Sequence, residues 1–291
     1  MDQPTSFSLL ERMYKVEEQL TPKAKILMQY VIQNPREAVF MRTRALAAAC
    51  GVSEATVVRF VVQLGYSGYR EFIRALRDLA DSEMTLVDRV KIARNGNADP
   101  HGFDGVIWEE IGNLKRLLEV LDAASVRKAA DLVVEAPHVF VIGSRLSFTF
   151  SYYLGWSLTK LRSGISILKG SDSTAMDSLT LAGTPGLVVI VATTRYPNEL
   201  IRLAKVARRN GHTLLLIADS PLCPISQFAH VTLMAPYERF PVVGSPSSIS
   251  CLINCIVLEI IRREGDNLRR HQEKLEQAFL ENDVLYNFEK I

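Results

Sequence analysis

The sequence lacks the features that mark membrane, secreted and disulfide-rich proteins. No run approaches about eighteen consecutive apolar residues. The N-terminal segment MDQPTSFSLLERMYK lacks the basic start and apolar core of a signal peptide. Four cysteines in 291 residues are too few for a disulfide framework. We therefore expect a cytoplasmic protein with no membrane partner.

Cysteines and glycines at the spacing of a cofactor site are also missing. Cys251 and Cys255 are four residues apart in an apolar run, but no further cysteine or histidine lies close to them in sequence. Buried structural thiols are therefore the better interpretation than a metal site. Neither the P-loop nor the dinucleotide-binding glycine spacing occurs. We predict no metal and no cofactor.

The composition is that of a folded, two-domain protein. Hydrophobic residues make up 48% and charged residues 23% of the chain, and the net charge is only +2. Between Leu20 and Arg77, however, nine basic residues stand against three acidic ones. A local surplus of this kind suits a phosphate backbone, although scattered surface charge would look the same.

The segment from Thr43 to Phe72 has the pattern of two helices joined by a tight turn. Thr43 is a favourable N-cap for an Ala-rich first helix. Gly51 tolerates the left-handed conformation past a helix end, and Val52 offers an apolar contact between the helices. Ser53 is the expected N-cap of the second helix. The pattern predicts a helix-turn-helix.

The second helix of this pair has one apolar and one polar face. Residues at helical spacing predict a buried face formed by Val57, Phe60, Val61 and Leu64. On the opposite face Arg59 could pair with a guanine and Ala55 could touch a thymine methyl, while Ser53 could hold a phosphate. The predicted DNA-binding residues are Arg44, Ser53, Glu54, Ala55, Thr56, Arg59, Gln63 and Tyr69. A packing motif with no ligand is the alternative.

Two stretches resemble the RpiR family of bacterial transcription regulators. They are LTPKAKILMQYVIQNP, from Leu20 to Pro35, and LAAACGVSEATVVRFVVQLGYSGYREF, from Leu46 to Phe72. The resemblance implies a helical DNA-binding domain followed by an effector domain of the sugar-isomerase type, the SIS fold.

The remaining N-terminal pattern completes a helical domain. Thr21 is the expected N-cap of a helix that starts at Pro22 and ends at Asn34, and a further helix ends near Ala80. The apolar residues of the first of these helices that we expect to be buried are Ile26, Leu27, Tyr30 and Val31. We predict a DNA-binding domain over 1–80, a linker over 81–105 and an effector domain over 106–291.

The second domain alternates strand and helix patterns. Five short apolar runs predict strands at HVFVIG, GISILKG, GLVVIVAT, HTLLLIA and HVTLMA. Runs of this type separated by helices predict an α/β fold, a five-stranded parallel sheet with helices on both faces. The overall prediction is thus an all-α helix-turn-helix domain joined to a parallel α/β domain.

Polar residues follow the first and third strands, where ligands bind in such sheets. The candidate effector-binding residues are Gly143, Ser144, Arg145, Ser147, Thr193, Thr194, Arg195, Tyr196, Ser245, Ser247 and Ser248. Hydroxyls, arginines and helix N-termini favour an anionic ligand. Turn formation and helix capping explain the same residues without a ligand, so both interpretations stand.

The region from about Val106 to Arg263 looks like a SIS domain, whose members bind phosphosugars through serines and threonines at the first and third strand ends. The first loop, GSRLS, matches the family pattern. The third loop departs from it, because the usual Ser-x-Ser-Gly-x-Thr is replaced by Ala192 to Pro197. The ligand implied is a small anionic metabolite, either a phosphosugar or a sugar acid.

These features predict a DNA-binding regulator, a repressor of carbohydrate or related catabolic genes, that is controlled by this metabolite and binds double-stranded operator DNA as a homodimer or homotetramer. The alternative is a sugar-phosphate isomerase of the SIS type with a helical extension, for which Glu199 is the nearest candidate base. A third possibility is a constitutive DNA-binding protein whose pocket is blocked by Arg195 and Tyr196.

Overall fold

The structure is a computed structural model that describes residues 9–80, 85, 87–88, 90, 103–235, 246–263 and 265–285. The chain separates into two compact units, Met1–Asn97 and Ala98–Ile291. The boundary lies inside the predicted linker. At the start of that linker, Asp88 is buried and accepts a hydrogen bond from Arg36 Nε at 2.8 Å. This part of the predicted linker therefore belongs to the first unit.

The first unit is helical. Its helices are α1 (Leu9–Val16), α2 (Pro22–Gln33), α3 (Pro35–Ala38), α4 (Thr43–Ala49), α5 (Glu54–Gln63) and α6 (Tyr69–Ala80), with a 3-10 turn at Glu17–Gln19. Thr21 caps α2 as predicted, because its hydroxyl accepts a hydrogen bond from the Ala24 amide at 3.3 Å. Leu27 and Val31 are fully buried, but the prediction for Ile26 was wrong, since its side chain is 47% exposed.

The second unit alternates helices and strands. Its elements are, in chain order, α7 (Phe103–Val120), α8 (Ala123–Glu135), β1 (Val139–Gly143), α9 (Ser147–Thr159), β2 (Ile165–Lys169), α10 (Ser173–Thr180), β3 (Leu187–Ala192), α11 (Asn198–Arg209), β4 (Thr213–Ala218), a 3-10 turn (Ser226–Phe228), β5 (Val231–Met234), α12 (Ser247–Arg263) and α13 (Asp266–Glu281). All five predicted strands are confirmed.

The strands form a parallel sheet in the order β2-β1-β3-β4-β5. Every residue of β1 and β3 is buried, as expected for strands covered on both faces. Alternate strand residues enter two separate cores: Val141 and Val189 pack with α8, α9 and α12, whereas Ile142 and Ile190 pack with α10 and α11. The predicted fold class is confirmed.

The strand order creates one position suited to a ligand. From β1 the chain crosses to β2 on one side and then to β3 on the other. Ligands of open parallel sheets bind in the crevice at such a switch point, outside the carboxyl ends of the strands. The loops after β1 and β3 therefore flank the position where an effector is expected.

Among the described residues, no single helix is long and apolar enough to cross a membrane. Taken together, the helices α4 and α5 reach that length and apolar composition, but they are bent by 102° relative to each other.

Candidate nucleic-acid interface and effector site

The helices α4 and α5 differ in direction by 102°, a value typical of helix-turn-helix motifs. Gly51 makes the turn between them possible, because its φ of +62° lies in the left-handed region. The Val52 amide donates a hydrogen bond to the Ala47 carbonyl at 2.9 Å, and the Val52 side chain packs against the core. The predicted turn chemistry is confirmed.

The buried side of α5 determines which residues it leaves exposed. Ser53 caps the helix as predicted, accepting a hydrogen bond from the Thr56 amide at 3.2 Å. The four apolar residues predicted for the inner face are at most 3% exposed. Among them, Phe60 packs edge to face on Phe72 of α6, with ring centroids 6.1 Å apart. These contacts anchor α5 along its whole length.

The outward side of α5 carries the residues that are exposed, namely Glu54, Ala55, Val58, Arg59, Val62 and Gln63. Val58 and Val62 are 50% and 58% exposed, and the sequence analysis missed them although they lie at the same helical spacing as Ala55 and Arg59. A guanidinium and an amide can read base edges, and small apolar groups can meet thymine methyls. Arg44, on α4, is exposed as well.

Two details of the predicted interface were wrong. Thr56 is only 8% exposed, and its hydroxyl lies 2.8 Å from that of Ser53, so it belongs to the cap and not to the outward face. Thr43 does not cap α4. The helix begins at Thr43 itself, Arg42 takes the N-cap position without a side-chain hydrogen bond, and the Thr43 hydroxyl donates to Glu54 Oε2 at 3.3 Å.

Tyr69, predicted to contact DNA, ties the first unit together. Its hydroxyl donates a hydrogen bond to the Met41 carbonyl at 2.9 Å, which links the start of α6 to the segment before α4. Burial raises the pKa of the Tyr69 hydroxyl to about 12, so the phenol stays protonated at neutral pH. A structural role accounts for this side chain.

The loop after β1 holds its serines inward. Gly143 is required there, because a Cβ would lie only 2.5 Å from Ser151 Oγ and 2.6 Å from the Ser147 carbonyl of α9. Ser144 and Ser147 are each 1% exposed. The Ser147 hydroxyl accepts from the Ser144 amide at 3.1 Å and donates to the Ser144 carbonyl at 2.9 Å. In this structure the Ser147 hydroxyl thus closes the turn of the loop, and the role of both serines in effector binding stays a prediction.

Arg145 and Arg195 lie in the loops after β1 and β3. Both are exposed, and both adopt positive φ, 54° for Arg145 and 66° for Arg195. Positive φ is uncommon for residues with a Cβ, and such strain concentrates at binding sites. The two loops thus present one guanidinium each at the switch point of the sheet.

The loop after β3 is organised by a residue that the sequence analysis missed. Asp219, the residue after β4, accepts hydrogen bonds from the Thr194 amide at 2.7 Å, from the Thr194 hydroxyl and from the Tyr196 hydroxyl at 2.8 Å. Burial and the Asp219 carboxylate raise the pKa of Tyr196 well above its ordinary value. Thr193 is 8% exposed. The signal that could have identified Asp219 in the sequence is its position as a polar residue directly after β4.

A second carboxylate joins the β1 loop to the first turn of α11, the helix that follows the β3 loop. The Ser144 hydroxyl donates to Glu199 Oε1 at 2.7 Å, across 55 positions of sequence. This hydrogen bond lowers the pKa of Glu199, and Arg202 and Arg145 act in the same direction. Glu199, named beforehand only as a possible base, is therefore a contact between the β1 loop and the start of α11.

The start of α12 supplies the third group of predicted residues. Ser247 donates a hydrogen bond to Glu110 of α7. Ser248 is fully buried, and its hydroxyl has no hydrogen-bond partner in the described part of the chain. A buried hydroxyl without a partner is uncommon and calls for an explanation such as a bound water or ligand. Ser245 lies outside the described residues.

Comparison with known proteins agrees with this architecture. Residues 7–83 match the model of the helix-turn-helix domain of the rpiR family, and residues 132–260 match that of the SIS domain. The chain therefore carries a helix-turn-helix domain of the rpiR family followed by a SIS domain. Two relatives are named HTH-type transcriptional regulator HexR. The one from Pseudomonas aeruginosa is 24% identical over 94% of this chain and 96% of its own, and the one from Escherichia coli 23% identical over 96% and 98%.

Among solved structures, the NanR protein of Vibrio vulnificus, complexed with ManNAc-6P, has a TM-score of 0.60. It is 20% identical, and the alignment covers 96% of this chain and 100% of that one. The chain is a transcriptional regulator that combines an rpiR-type helix-turn-helix domain with a SIS domain.

Proposed function

We propose that the protein is a repressor of carbohydrate or related catabolic genes whose affinity for operator DNA is set by an anionic sugar derivative bound in its SIS domain. The observation that carries the proposal is the pair of exposed arginines, Arg145 and Arg195, at the sheet's switch point, in a chain that also carries an exposed recognition helix. An anionic ligand suits this position, because guanidinium groups pair with carboxylates and phosphates.

Three similar proteins support the assignment. The two HexR relatives are named transcriptional regulators, and they align with this chain over nearly their whole length. The structure of NanR was solved with a sugar phosphate. The unpartnered, fully buried Ser248 hydroxyl at the start of α12 is a further group that a ligand could satisfy. Because its DNA target lies in the bacterial cytoplasm, the regulator acts there. We propose a homodimer or homotetramer, since two recognition helices read two half-sites.

Catalysis is the less favoured alternative. An aldose-ketose isomerase needs a carboxylate base near the substrate carbonyl. Glu199, in the first turn of α11, contacts the β1 loop, but its hydrogen bond from Ser144 lowers its pKa and makes it a weaker base. The histidines His138, His212 and His230 precede β1, β4 and β5, at the opposite edge of the sheet. We therefore propose that the SIS domain binds without turnover.

The test measures DNA binding and ligand binding together. We expect the purified protein to bind a duplex taken from upstream of its own or neighbouring genes, and a sugar acid or sugar phosphate to change that affinity while raising the melting temperature. The same ligand should not be consumed. A panel that neither stabilises the protein nor alters DNA binding would favour a constitutive DNA-binding protein, and turnover of a panel member would favour an enzyme.

A further inference from the structure

The donors of the β3 loop already surround an anion, and that anion is part of the chain. Asp219 Oδ2 accepts from both the amide and the hydroxyl of Thr194, and Asp219 Oδ1 accepts from the hydroxyl of Tyr196. A backbone amide and two hydroxyls are also the donors that a ligand phosphate would use. The carboxylate therefore occupies a position that could hold a phosphate.

A ligand phosphate at the same donors would meet two obstacles. It would have to displace hydrogen bonds to a charged acceptor, which are stronger than those between neutral groups. It would also bring its negative charge close to the Asp219 carboxylate, and like charges at short range oppose each other strongly where water is partly excluded. Asp219 thus selects against a phosphate at the end of β3.

We propose that Asp219 is a specificity-determining residue that replaces the ligand's phosphate at the end of β3, so that the effector of this SIS domain is a sugar acid and not a sugar phosphate. The exposed guanidinium groups of Arg145 and Arg195 fit the planar carboxylate of such a ligand, which they can bind through paired hydrogen bonds. This inference rests on the proposed function, because it specifies the ligand of the same site.

Inorganic phosphate is the probe that isolates the role of Asp219. We would titrate it into the full-length wild-type protein and into Asp219→Asn and Asp219→Ala by calorimetry. Removal of the charge should expose the Thr194 and Tyr196 donors, so both variants should bind phosphate at least about tenfold more tightly than the wild type. The Asn variant keeps an acceptor for the Tyr196 hydroxyl and guards against a folding defect in the Ala variant.

Asp122 provides a matched control. It also accepts three hydrogen bonds, from the amides of Ala124 and Ser125 and from the Ser125 hydroxyl, but it caps α8. Asp122→Asn should leave phosphate affinity at the wild-type value. No gain in either Asp219 variant, or an equal gain in the Asp122 variant, would overturn the role assigned to Asp219.

The ligand class has its own test on the wild-type protein. A sugar acid should raise the melting temperature more than the matched sugar phosphate, and Asp219→Asn should reverse that order. Stronger stabilisation of the wild type by the phosphate would overturn the proposal. Phosphate binding gained by the Asp219 variants, together with no response of DNA binding to any sugar derivative, would instead remove the effector function and leave the role of Asp219 standing.

Discussion

On α5, the polar side chains of Arg59 and Gln63 are exposed. At the ends of β1 and β3, the hydroxyls of Ser144 and Tyr196 instead donate to carboxylates of their own unit. The proposed DNA-binding side of α5 is therefore already exposed in this structure. A ligand that contacted the strand-end hydroxyls would instead have to exchange internal hydrogen bonds for its own contacts, and an exchange of this kind can let binding favour one of two arrangements.

The largest expected effect comes from a substitution on the buried side of α5. Phe60 is fully buried and packs on Phe72, so Phe60→Ala should lower the free energy of unfolding of this unit by about 3–5 kcal/mol. Val62→Ala, on the exposed side of the same helix, should change it by less than about 0.5 kcal/mol. Urea denaturation followed by circular dichroism measures both. Equal losses would mean that α5 has no distinct inner face.

The exposed face can be tested without disturbing the core. Arg59→Ala should weaken binding to a specific duplex by about 1–3 kcal/mol and relax its discrimination from random duplex, because the guanidinium would no longer pair with a base. The melting temperature should not change, since Arg59 is exposed. Fluorescence anisotropy at fixed salt measures the two affinities.

Lys25→Ala is the control for this loss of charge, since Lys25 is an exposed cation on α2 of the same unit. It should leave the ratio of specific to random affinity unchanged. An Arg59 variant that kept the wild-type ratio would show that bases are read by another element.

Much of the fold could be predicted because it follows local periodicity. The turn at Gly51, the cap at Ser53 and all five strands required only spacing and residue type. One error, on α2, occurred where a helix has neighbours on more than one side. Ile26 was assigned to the core, but Met28 is the residue buried there, at 4% exposure.

The effector site was less predictable, because its hydrogen bonds join residues that are distant in sequence. Asp219 lies 25 positions after Thr194, and Glu199 lies 55 positions after Ser144. Hydroxyls at strand ends can be named from the sequence, since strand ends are recognisable. Which carboxylate satisfies each hydroxyl depends on strand order, and the order β2-β1-β3-β4-β5 is a property of the packed sheet.

The smallest expected effect concerns the contact between Ser144 of the β1 loop and Glu199 of α11. The Ser144 hydrogen bond holds the pKa of Glu199 below its ordinary value of 4.5. A carboxyl group whose pKa is lower in the folded than in the unfolded state stabilises the fold above the unfolded value, and this contribution is lost as the pH falls through the folded value. Wild-type stability should therefore decline below about pH 4.5 more steeply than that of Glu199→Gln, in which this position cannot ionise.

Chemical denaturation at a series of pH values, followed by a probe of the second unit, measures the difference between the two proteins. The exposed Glu276 of α13 supplies the control, and Glu276→Gln should follow the wild-type curve. Because Glu199 is only partly buried, solvent screening keeps the difference small. Parallel curves for wild type and Glu199→Gln would mean that the Ser144–Glu199 contact does not persist in solution, and the Ser144 hydroxyl would then be free to donate to a ligand.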